Sequence, residues 1–215
     1  MKKLLAEFLG TALLVAVVVG SGIMATDLTQ DVGLQLLINT IATVFGLAVL
    51  ILILAPISGA HINPVVTLVD LIQGKSSVIQ FIQYVVTQVL GAISGALLAN
   101  TMFDQAIIET STKIRSGTHL YLAEIVATTG LILVINLLLH QKNFSAIPAA
   151  VAAWIGSAYF FTSSTSFANP AVTIGRTFSD SFAGIAPSSA PQFIAAQLLG
   201  ALIGLALVKV LTHDK

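Results

Sequence analysis

The sequence predicts an all-α membrane protein: six transmembrane helices and two re-entrant half-helices, arranged as an inverted repeat. Three observations predict it. Of 215 residues, 56% are hydrophobic and only 8% charged, against about 25% charged in an ordinary soluble domain. Six apolar stretches each approach the ~20 residues that a helix needs to cross the hydrocarbon. Two Asn-Pro pairs, Asn63-Pro64 and Asn169-Pro170, interrupt the apolar pattern at corresponding points of the two halves.

The apolar stretches run over 4–25, 34–55, 78–100, 120–139, 146–162 and 191–211, the fifth being the shortest. Met1-Lys2-Lys3 before an apolar run has the look of a signal peptide. However, Glu7 sits inside that run and its opening recurs later in the chain, so the stretch is expected to be retained as the first span. Between spans two and three, residues 64–74 form a helix too short to cross, ending at Gly74-Lys75-Ser76-Ser77. Residues 170–180 repeat this between spans five and six, ending at Ser179-Asp180-Ser181. Asn is a good N-cap and Pro suits the first helical position, so each motif reads as a loop that ends in a helix start.

Landmarks repeat in order. Ala6-Glu7-Phe8-Leu9-Gly10-Thr11 matches Ala123-Glu124-Ile125-Val126-Ala127-Thr128, Asn63-Pro64 matches Asn169-Pro170, and Gln88-Val89-Leu90-Gly91-Ala92 matches Gln197-Leu198-Leu199-Gly200-Ala201, at offsets of 117, 106 and 109. The chain is thus one transmembrane domain over 1–215, with halves 1–100 and 119–215 joined by a polar linker 101–118. Three spans per half is an odd number, so the copies lie in opposite orientations, and the half-helices meet N-terminus to N-terminus near the midplane. The spacings Gly91…Gly95 and Gly200…Gly204 allow close helix approach, chiefly inside the bundle.

Lys and Arg set the orientation. With the N-terminus inside, Lys2, Lys3, Lys75, Lys142, Lys209 and Lys215 fall on the cytoplasmic side, against Lys113, Arg115 and Arg176 outside. Both termini are therefore expected in the cytoplasm, and the chain in the plasma (inner) membrane as a multi-pass protein. Net charge is zero, and no basic cluster points to nucleic acid. The absence of cysteine excludes disulfides and thiolate chemistry. No metal cluster or nucleophile–base pair is visible, so neither an enzyme nor a bound cofactor or metal is expected. His61 lacks companions for a metal site, since His119, His140 and His213 fall at span ends or in the tail, and it reads as structural or pore-lining.

Two helix N-termini at the midplane make a site hostile to cations. The Asn63 and Asn169 amides can donate to a passing water or hydroxyl, and carbonyls of the lead-in loops can accept from it. Glu7 and Glu124 are intramembrane carboxylates, for which a proton relay is the sharper reading. Their symmetric placement without an intramembrane Lys or Arg in the same spans favours a structural one. Asp70 and Arg176 each lie seven residues after a motif Asn, and so are symmetry mates of opposite charge. With i and i+4 on one face, Arg176 follows Val172 and Asp70 follows Val66, one turn farther from the centre. Each either snorkels to headgroups, pairs with a nearby loop, or lines a vestibule, Arg176 at the periplasmic mouth and Asp70 at the cytoplasmic one.

The paired Asn-Pro half-helices, the Ala-Glu-x-x-x-Thr copies and the lead-in Ser58-Gly59-Ala60-His61-Ile62-Asn63-Pro64 resemble the aquaporin, or major intrinsic protein, family over essentially the whole chain. The resemblance implies a passive channel for water and small uncharged solutes in a lipid bilayer, assembled as a homotetramer. It gives Glu7 and Glu124 the role of accepting hydrogen bonds from the half-helix loops. The first motif departs from the family's Asn-Pro-Ala at Val65, which is expected to alter packing where the half-helices touch; the second keeps Ala171. The family's four filter positions map to Thr43, Ser157 (or Gly156 with one extra loop residue), Ser166 and Val172. The last is usually arginine. The implied filter is wide and uncharged, with no bulky aromatic, and suits solutes larger than water: glycerol-like molecules or, by analogy, neutral metalloid and arsenic species. A strict water channel, a secondary transporter and a scaffold with a closed pore are the alternatives.

Overall fold

A computed structural model describes residues 1–212. His213 and Lys215, named above, lie outside the described residues. Eight helices account for the architecture: α1 (Lys2–Leu28), α2 (Val32–Ser58), α3 (Pro64–Ile72), α4 (Val78–Met102), α5 (Thr118–His140), α6 (Ile147–Phe161), α7 (Pro170–Gly175) and α8 (Ala190–Thr212). One-turn 3₁₀ segments precede α6 (Phe144–Ala146) and follow α7 (Arg176–Phe178). Among the described residues there is no strand. Six segments are long and apolar enough to span a membrane, the shortest being Phe144–Phe161.

The half-helices are shorter than the sequence suggests. The first ends at Ile72 and the second at Gly175, where the chain tightens into 3₁₀ geometry. The sequence predicts the second to run to 180. Gly175 ends it against the backbone of α4, where an added Cβ would stand 2.6 Å from the Ala92 carbonyl oxygen.

Within each half the first and third spans form the tightest pair, α1 on α4 and α5 on α8, and α2 packs on α6 across the halves. Small residues make this possible. A Cβ on Gly95 would lie 2.1 Å from the Ala12 oxygen, and on Gly91 2.5 Å from the Phe8 oxygen. On the symmetry mates Gly200 and Gly204 a Cβ would lie 2.6 Å from Ile125 O and 2.9 Å from Thr129 O. The glycine spacing is therefore used inside the bundle. Exposed Phe45, Val49, Leu52, Val86 and Leu90 give the outside the apolar surface that lipid requires. Residues 103–117 connect the halves and are stitched to the segment after α7: Ser111 N–H donates to Thr177 O (3.0 Å) and Ala186 N–H to Lys113 O (2.7 Å).

Candidate functional site: a lumen between two half-helices

The lumen is built from the two lead-in loops. Each contains residues in the left-handed region that are not glycine: Ala60 (φ 47°) and Ile62 (φ 40°) in the first, Ser166 (φ 49°) and Ala168 (φ 46°) in the second. For a β-branched residue such as Ile62 this is an outlier that surrounding structure must over-determine. Glu7 does so from α1. It is fully buried and accepts from Ser58 Oγ (2.7 Å), His61 N (3.0 Å), Ile62 N (2.7 Å) and Gln88 Nε2 (2.7 Å). Glu124 is its counterpart, accepting from Phe167 N (2.9 Å), Ala168 N (2.9 Å) and Gln197 Nε2 (2.7 Å). Gln88 and Gln197 extend these contacts to Thr67 and Thr173 on the half-helices. The sequence shows both glutamines as repeat landmarks, yet their bonding is visible only in three dimensions. Every carboxylate oxygen is occupied.

Each motif Asn works twice. Asn63 Oδ1 accepts from Val65 N (3.0 Å), and Asn169 Oδ1 from Ala171 N (3.0 Å) and Val172 N (3.3 Å), capping their helices. Their amide nitrogens cross over: Asn63 Nδ2 donates to Ala168 O and Asn169 Nδ2 to Ile62 O, both at 2.8 Å. An amide nitrogen has two hydrogens, so one on each Asn is left for the lumen. Pro64 and Pro170 occupy the first helical turn, where no N–H is missed. Val65 is fully buried with Ile132, Ala201 and Leu205 of α5 and α8. Its extra methyls are thus absorbed by the outer helices, not by α7. Ala171, also fully buried, belongs to the main core.

A cavity of about 860 Å³ runs from Lys75 and Ser145, on the face bearing the N-terminus, past Asn63 and Asn169, to Phe167 and Arg176 in the opposite half. Thr43, Val66, Ser166 and Val172 line it. Ser157 and Gly156 do not. Ser157 is exposed on the outer surface of α6, and Gly156 faces α2, its position for a Cβ 2.5 Å from Val44 Cγ2. The contribution of α6 is instead Ile155 and Tyr159. Counting from the motif without a gap missed this, because the loop 162–169 sets the rotation of α6, and only a count two residues shorter reaches Tyr159. The expectation of a wall without aromatics is corrected with it: Tyr159 and Phe167 both line the lumen.

The two ends differ in charge but share a plan. On the terminal side, the His61 ring packs edge-on against Tyr84 (5.3 Å between centroids), its Nδ1 lies 3.2 Å from Thr67 Oγ1, and its Nε2 3.9 Å from Asp70 Oδ2. At the equivalent place Phe167 packs edge-on against Phe193 (5.1 Å), with the Arg176 guanidinium over its face, Cζ 3.4 Å from the centroid. Imidazole–carboxylate in one half thus corresponds to phenyl–guanidinium in the other. Arg176 is buried, not snorkelling to headgroups: it is 2% exposed, and it pairs with the loop before α8, where its Nε donates to Ala183 O, while its side chain also lines the lumen. Among the described residues no three metal-ligating side chains converge.

Six spans around two half-helices that meet in a continuous lumen define a channel-type membrane fold. The model of the family described as "Major intrinsic protein" matches residues 1–167 and 139–215. The chain belongs to that family. It is 48% identical over 210 residues to the aquaglyceroporin AqpS of Rhizobium meliloti (strain 1021), covering 97% of this chain and 89% of that one. Aquaporin-2 of Ovis aries is 40% identical over 108 residues, covering 49% and 38%. The X-ray structure of the aquaglyceroporin from Plasmodium falciparum superposes with a TM-score of 0.72 at 24% identity, covering 98% of this chain and 96% of that one, and shares its fold.

Proposed function

We propose that the chain is a passive channel for water and small uncharged solutes of about the size of glycerol. The observation that carries this is the lumen itself, one cavity passing both motif asparagines, each with an amide hydrogen free to donate. The 48% identity to a protein named an aquaglyceroporin supports solutes larger than water. In this reading Thr43, Tyr159, Ser166 and Val172 form the narrow filter, with Tyr159 taking the place expected of Ser157. Valine at 172 removes the family's usual arginine from the constriction and leaves room for a polyol or a neutral metalloid hydroxide of similar size. Glu7 and Glu124 hold the loops and move no protons, since all their oxygens are committed. His61, Val66 and Asp70 line one vestibule and Arg176 the other. The chain acts as a single channel domain in the inner membrane with cytoplasmic termini, as a homotetramer, and without cofactor or catalysis.

Stopped-flow light scattering on proteoliposomes, with water, glycerol, urea and neutral arsenous acid in turn, tests this. Flux should rise linearly with the gradient and ignore protonophores. Saturable flux driven uphill by a proton or sodium gradient would make the chain a secondary transporter, and glycerol exclusion would make it a strict water channel.

A further inference from the structure

Arg176 is a buried cation with no carboxylate partner among the described residues. Its Nε is used on Ala183 O and one face of its guanidinium on the Phe167 ring. Its two terminal nitrogens have no hydrogen-bond partner among the described residues, and the side chain lines the lumen. Two carboxylates that follow the linker in sequence, Asp180 and Glu124, are engaged elsewhere. Asp180 accepts from Thr112 N (2.9 Å), Thr112 Oγ1 and Ser111 Oγ, and Glu124 is filled by the loop. Two further cations lie nearby: Arg115, with Cζ 5.1 Å from the Phe167 centroid, and Lys113, whose Nζ donates to Phe182 O at 2.7 Å. Independently, the Ser166 hydroxyl, beside Phe167 on the lumen wall, is buried without a partner. A buried charge left uncompensated is unfavourable. A guanidinium offering two parallel N–H groups is shaped for a planar oxyanion.

We propose that the outer half of the lumen contains a binding site for a small monocarboxylate, held by the two terminal nitrogens of Arg176 and by the hydroxyl of Ser166. The Phe167 ring backs the guanidinium and fixes its plane. Arg115 and Lys113 supply the surrounding positive potential that draws the anion in. A carboxylate bound there stands in the solute path and slows neutral flux. The proposal rests on the reading of the lumen as that path.

The test uses the full chain in proteoliposomes, with acetate or chloride equal on both sides at matched ionic strength and pH 7, and glycerol flux as the readout. Calorimetric titration of acetate into the detergent-solubilised protein gives the affinity directly. Acetate should inhibit glycerol flux saturably and chloride should not. Arg176→Lys, which keeps the charge and loses the fork, should weaken acetate at least tenfold, and Ser166→Ala severalfold. A thermal melt of each variant reports folding, and Ser166→Ala serves alone if Arg176→Lys does not fold. Normal glycerol flux with no saturable acetate effect overturns the site and leaves the channel standing. Equal inhibition by chloride overturns the bidentate geometry. Undiminished acetate affinity in either Ser166→Ala or Arg176→Lys overturns the proposal. No glycerol or water flux at all overturns the channel reading instead.

Discussion

Tyr159 donates its hydroxyl hydrogen to Thr43 Oγ1 at 3.3 Å, joining α6 to α2 at the wall of the lumen. Both residues are nearly fully buried, so the pair sets how far the two helices stand apart there. Tyr159→Phe removes one neutral hydrogen bond, about 0.5–1.5 kcal/mol of stability. It also strips a polar group from the path of a polyol. Glycerol flux should fall more than water flux, measured as the ratio of the two permeabilities in the same vesicles. An unchanged ratio takes Tyr159 out of the filter.

The buried carboxylates should differ in their importance for folding. Glu7→Leu leaves three donor atoms without an acceptor (Ser58 Oγ, His61 N and Ile62 N) and Glu124→Leu two (Phe167 N and Ala168 N), while Gln88 and Gln197 keep their bonds to Thr67 and Thr173. Each orphaned buried donor costs ~1–3 kcal/mol. Both variants should give less folded protein, Glu7→Leu the less of the two, as read by monodisperse yield and thermal midpoint. A well-folded Glu7→Leu with a changed pH dependence of flux would revive proton movement through this residue.

Val172→Arg places a second guanidinium one turn inside Arg176. Their repulsion and the added bulk should cut glycerol permeability at least tenfold and water permeability less. Equal losses for both solutes would show a folding defect, separable by thermal melting.

The helix pairs are sensitive to a single methyl. Gly95→Ala drives a Cβ toward the Ala12 oxygen, 2.1 Å away, and Gly204→Ala toward the Thr129 oxygen, 2.9 Å away. Overpacking of this kind costs typically 1–3 kcal/mol. Gly95→Ala should therefore have the lower thermal midpoint of the two.

Lys113, on the loop joining the halves, has its pKa pushed down to about 8 by partial burial first, then by Arg115 and Arg176. A base with a lowered folded pKa binds fewer protons folded than unfolded between about 8 and its ordinary 10.5. Its contribution to stability thus rises with pH across that window and is flat below it. The side chain is largely exposed, so the effect is small. Lys113→Met should flatten the pH dependence of the melting temperature between 8 and 10, and a curve identical to the parent's would locate that dependence elsewhere.

The spans were legible because lipid leaves few choices: apolar length and the absence of charge identify a crossing helix almost alone. The motif loops were legible because Asn-Pro has a mechanical meaning at a helix start. What sequence could not supply was helix rotation. Ser157 and Tyr159 are both polar residues near the end of α6, and only the packing of α6 on α2 turns the first to the outside and the second inward. Arg176 illustrates a second limit. Its spacing put it on the face of Val172, but nothing in the spacing foretold the Phe167 ring beneath it or the tightening of the helix at Gly175.

The crossed asparagine amides bear on how the chain is made. Residues 1–100 leave the ribosome long before Ala168 exists, so Asn63 must wait for the carbonyl it donates to. Neither half can finish its own loop. A molecule cut within residues 103–117 and expressed as two pieces should give a lumen only when both pieces share one membrane, and the first piece alone should be a substrate for quality-control proteases.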